Sequence, residues 1–78
     1  MNPGQEKFHA FIIKRVKEDQ VEEAKILLSD SFRKQDERSF DSEYLRDQFM
    51  PKMESMLRPE AVEEVVQIMK DFGARYRR

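Results

Sequence analysis

Apolar residues recur along this chain at intervals of three and four, the spacing that lines one face of an α-helix. Phe8, Phe11, Ile12 and Val16 form the first such stripe. Val21, Ala24, Leu28 and Phe32 form the second, with Leu27 beside it. Leu45, Phe49, Met53, Met56 and Leu57 form the third, and Val62, Val65, Val66, Met69 and Phe72 the fourth, flanked by Ala61 and Ile68. No stretch alternates with the two-residue period of a half-buried strand. The pattern predicts an all-α fold, a compact bundle of four short helices over about 3–17, 20–35, 42–57 and 59–72.

Local signals place the ends of these helices. Asn2 and Gln5 have the spacing of a capping box, with Pro3 at the first helical position. Asp19 followed by Glu22 repeats that spacing before the second stripe, whose phase shifts near residue 20. A break there is therefore predicted, although no Gly or Pro separates the two stripes and one continuous helix is the alternative. Helix 2 is expected to fray within the charged stretch Arg33 to Arg38. Asp41 serves as N-cap of the third helix, with Phe40 and Leu45 spaced as a hydrophobic staple. Pro51 falls opposite the apolar stripe and should bend the helix or break it at Met50. Arg58-Pro59 ends helix 3, because a residue before proline avoids helical dihedrals. Gly73 is placed to cap helix 4. The core should draw on Phe8, Phe11, Ile12, Val16, Val21, Ala24, Leu28, Phe32, Leu45, Phe49, Met53, Leu57, Val62, Val65, Met69 and Phe72.

Composition narrows the picture. The 78 residues suffice for a single small helical domain spanning 1–78, with 74–78 expected as a mobile basic tail. Hydrophobic residues make up 38% and charged residues 40%, so the core is thin and burial against a second copy or a partner would help it. No cysteine is present, which excludes disulfides and thiolate metal sites and fits a cytoplasmic location. No secretion signal or membrane-length apolar run stands out. The net charge of −1 is spread evenly, unlike that of most polyanion binders.

Candidate chemistry is sparse. One His and no phosphate-cradling glycine loop argue against catalysis, so no catalytic or cofactor-binding residues are expected and the chain should not be an enzyme. Glu6-x-x-His9 has the i, i+3 spacing of di-iron bundles, but the proposed inward faces supply no further carboxylate. His9 therefore reads as a core-edge residue, and neither metal nor cofactor is expected. A helix-turn-helix reading of helices 3 and 4 would present Glu60, Glu63 and Glu64 to the phosphates. Arg75, Tyr76, Arg77 and Arg78 form the one basic-aromatic cluster, whose alternatives are weak phosphate contact with nucleic acid and a solvated tail. Helix 1, with Lys7, Lys14, Arg15 and Lys17, comes nearest to a membrane-surface helix, but its apolar stripe is more simply a core wall. Met50, Met53 and Met56 suit either an adaptable partner surface or core gap-filling.

The remaining pointer is three large residues off their own stripes: Ile13, Ile26 and Tyr44. If they lie together they form a partner or dimer patch; otherwise they pack under neighbouring helices. The expected function is a non-enzymatic protein–protein interaction or regulatory domain, with a homodimer as one form. Nucleic-acid binding through the basic tail is the alternative.

Overall fold

The chain begins its first helix where two side chains satisfy each other's backbone. In a computed structural model, which describes the backbone of residues 2–75 and the side chains of residues 2–71, Asn2 caps α1 (Pro3–Ile13). Its carboxamide accepts from Gln5 N–H at 2.8 Å, while Gln5 Oε1 accepts from Asn2 N–H at 3.0 Å. Two of the orphan donors of the helix start are satisfied by this reciprocal pair.

Helix α1 stops at Ile13 rather than near Lys17. Val16 stays in the core, but as part of an extended bridge instead of a helix face. Lys17 N–H donates to Met56 C=O and Arg58 N–H to Arg15 C=O, each at 2.9 Å. Two inter-helix connections thereby satisfy each other's backbone groups, which outweighs one further helical turn. The predicted break between the first two helices is present, and a single continuous helix is not formed. A short 3₁₀ turn at Glu18–Gln20 leads into α2 (Val21–Asp36). The N-cap there is Gln20 with no side-chain cap bond, so the Asp19–Glu22 capping box is not made.

Helix α2 ends sharply instead of fraying. Arg38 N–H donates to Gln35 C=O at 3.1 Å and Ser39 N–H to Lys34 C=O at 2.8 Å, the bond pair of a Schellman motif. The turn puts Arg38 at φ 61°, in the left-handed region where glycine is ordinarily favoured. The charged run hides this turn because its residue at that position is an arginine.

Helix α3 covers 42–56 in three contiguous pieces: Ser42–Tyr44, a π turn at Leu45–Phe49, and Met50–Met56. Asp41 caps it, accepting from Tyr44 N–H at 2.8 Å. Phe40 and Leu45 both lie in the core, as a staple requires. Pro51 neither breaks the helix nor simply bends it. Proline has no N–H for the carbonyl four residues back, and its ring would strike that carbonyl in regular α geometry. The wider π turn just before it, closed by Met50 N–H on Leu45 C=O, relieves the conflict. Helix α4 (Pro59–Arg75) continues through Gly73 and does not end there.

These helices form an all-α bundle with no strand among the described residues. The Cα radius of gyration is 11.8 Å, against about 11.5 Å expected for a globular chain of this length. Ile12, Leu28, Phe49, Met53, Leu57, Val65 and Met69 are its most enclosed apolar side chains. Leu27, Phe40 and Ala61 join the interior, whereas Phe8, Phe11, Val21 and Val62 are half-buried around it. The expected core position of Phe72 lies outside the described side chains.

A second polar link fastens the end where α1 gives way to its connection. Arg15 pairs with Glu64 of α4 at 2.7 Å, donates to Phe11 C=O at 2.9 Å and lies 3.7 Å over the Phe11 ring. The Arg58 guanidinium donates to Lys14 C=O.

Candidate functional site

At the opposite end of α1 the described residues of the four helices leave a space between them. A cleft of ≈ 580 Å³ opens between the N-terminal turns of α1, the C-terminal half of α2, the Phe40 connection, the π turn of α3 and α4. Its size falls within the usual range of small-molecule pockets. Asn2, Gly4, Gln5, Lys7, Phe8 and Phe11 come from α1 and its cap; Ser31, Phe32 and Gln35 come from α2. Phe40, Phe49, Ile68 and Met69 complete the wall. The apolar stripes of successive helices meet here, so phenylalanine dominates the lining. Phe8 and Phe11 stack at 6.5 Å between centroids, and Phe40 meets Phe49 edge-on at 6.0 Å. Edge-on and offset arrangements are those that aromatic quadrupoles favour.

Two buried polar side chains belong to the wall. Gln5 is 6% exposed and Ser31 1% exposed. Gln5 Nε2 donates to Gln35 Oε1 at 3.2 Å, tying α1 to α2 beside the cleft. The Ser31 hydroxyl donates to Leu28 C=O at 2.8 Å. Among the described lining residues Lys7 is the one charged side chain. The wall includes no carboxylate or imidazole among these residues, and Ser31 has a backbone carbonyl, not a base, as its hydrogen-bond partner. No group of three or more metal-ligating side chains occurs among the described residues, and His9 is half-buried.

The three off-stripe residues do not form one exposed patch. Ile13 and Tyr44 are half-buried and packed on the core. Tyr44 meets Phe40 edge-on at 5.2 Å, with the Lys34 ammonium 5.0 Å from its ring centroid. Its phenol titrates above the ordinary value, first through burial and then through the neighbouring Asp30 carboxylate. Ile26 is 64% exposed, in a shallow polar groove with Glu22, Lys25, Ser29, Asp30 and Arg33. Asp30 thus borders both Tyr44 and the Ile26 groove. The side chains of Arg75, Tyr76, Arg77 and Arg78 lie outside the described residues.

The cleft itself was not visible as a stripe. Gln5 reads as a cap and Gln35 as part of a solvated charged run, yet they meet 30 positions apart in the chain. Five phenylalanines in two regions were the available signal, and only the helix packing shows that they face a common space.

The chain matches no protein-family model, no curated protein and no solved structure. No helix among the described residues is long and apolar enough to cross a membrane.

Proposed function

We propose that this chain is a non-enzymatic binding domain of the regulatory or interaction kind, acting through the phenylalanine-lined cleft. The observation that carries the reading is the cleft's lining: a largely apolar, aromatic surface with a small convergent polar group, in a size range suited to a bound molecule. Its chemistry favours capture over turnover, because a reacting group would need an oriented acid or base within hydrogen-bond reach. The cysteine-free composition suits a reducing compartment such as the cytoplasm.

A neutral apolar fluorophore, N-phenyl-1-naphthylamine, tests the reading. Its emission should rise saturably with one site per chain. Ile68 borders the cleft at 37% exposure, so Ile68→Asn should weaken binding by roughly fivefold while the helix persists. Ile26→Asn, outside the cleft, should leave binding unchanged. Absence of saturable binding, or equal weakening by both variants, rejects the cleft as the binding surface.

The exposure of Ile26 favours a second reading of the same class, self-association through the outer face of α2. Sedimentation equilibrium would then show a concentration-dependent mass that Ile26→Glu returns to the monomer value. A monomer at every concentration removes this reading.

A further inference from the structure

The polar side chains of the cleft's lining are unequal in what they offer. Gln5 Nε2 and Gln35 Oε1 bond each other, which leaves the Gln35 Nε2 donors without a protein partner among the described residues. The Lys7 ammonium likewise has no ion pair among them. Gln5 is more than nine-tenths buried, and its carboxamide has one N–H beyond the bond to Gln35. Donors therefore exceed acceptors among the described polar side chains of an otherwise apolar lining, and the one charged side chain among them is positive. Such a site complements an oxygen anion carried on a hydrocarbon body.

We propose that the cleft is a receptor for a free long-chain monocarboxylate. This rests on the binding-domain reading above and adds the chemistry of the ligand. The tail lies among Phe11, Phe32, Ile68 and Met69, and the carboxylate accepts from Gln35 Nε2 and the Lys7 ammonium. A neutral alcohol of the same length fills the apolar part but leaves the cation uncompensated. An alkylammonium sets like charges together.

Isothermal titration of the full chain with dodecanoate, dodecan-1-ol and dodecylammonium, each below its aggregation threshold, tests the assignment. Dodecanoate should bind one-to-one and tightest, with affinity falling roughly fourfold for each methylene removed. Lys7 is exposed, so Lys7→Gln should fold and weaken dodecanoate by roughly two- to fivefold, with dodecan-1-ol unaffected. Lys52→Gln, on exposed α3 surface outside the cleft, is the control. If the alcohol binds in the cleft and the carboxylate binds no better, the head-group assignment falls while the binding-domain reading stands. If no probe binds, both fall. Phosphatidylcholine vesicles loaded with dodecanoate should compete for the ligand; cosedimentation of the protein with them overturns the free-ligand assignment.

Discussion

Leu28 offers the sharpest test of the packing, because it sits at the centre of α2 with 0% exposure and does not border the cleft. Leu28→Ala deletes three buried carbons, which at about 0.8 kcal/mol each removes roughly 2.4 kcal/mol of transfer free energy. The void that remains adds a further cost, bringing the expected loss to about 2.5–4 kcal/mol. The whole stability of a chain of this length is on the order of 4–12 kcal/mol, so this one substitution consumes a large share of it. Each kcal/mol shifts the melting temperature of so small a domain by about 4–8 °C, which predicts a fall of at least about 10 °C. Circular dichroism melts at 222 nm measure it. Ile26→Ala is the matched comparison on the same helix: at 64% exposure it should move the midpoint by less than about 4 °C. If the two variants melt together, α2 does not present Leu28 to the interior and Ile26 to solvent, and this helix packing is refuted.

Three further outcomes follow from local geometry. Arg38 holds a left-handed conformation at the end of α2, so Arg38→Gly should stabilise the protein by about 1 kcal/mol in urea titration; destabilisation would mean that the Schellman turn is not formed. Arg15→Ala removes the Glu64 ion pair, the Phe11 carbonyl bond and the cation–π contact together, for a loss of about 1–2 kcal/mol, whereas Glu64→Gln should cost under about 1 kcal/mol. Equal effects in the two variants would show that the guanidinium contributes only through its exposed ion pair. The Tyr44 phenol titrates above its ordinary value of 10.0. A raised folded-state value means that this contribution is fully present below pH 10 and declines as pH rises through the folded value. The difference in melting temperature between wild type and Tyr44→Phe should therefore be flat up to about pH 9.5 and narrow or reverse above pH 10. A pH-independent difference across that range would remove the linkage.

Much of the architecture was legible in the order of residues. Helix existence followed from apolar spacing, since burial of one face per helix is a local property of the pattern. The Asn2 and Asp41 caps were equally readable, because a cap joins groups only three residues apart. Long-range pairing decided the rest. Whether Val16 continues a helix depends on Leu57 lying opposite it, and that contact crosses most of the chain. The π turn answers a conflict between Pro51 and its own preceding carbonyl, but Phe49 in the core sets the side of the helix that must stay in register.

The cleft belongs wholly to tertiary structure. A phenylalanine stripe has the same sequence signature whether it meets another stripe or a space, because periodicity reports the direction of a face and not the distance to its neighbour. Gln5 could be recognised as a cap, and only the approach of α2 made it a buried donor facing Gln35. Sequence by itself determined that this chain forms four amphipathic helices. The way they pack determined that, among the described residues, a largely apolar cleft lies between them, since those distances are fixed by residues far apart in the chain.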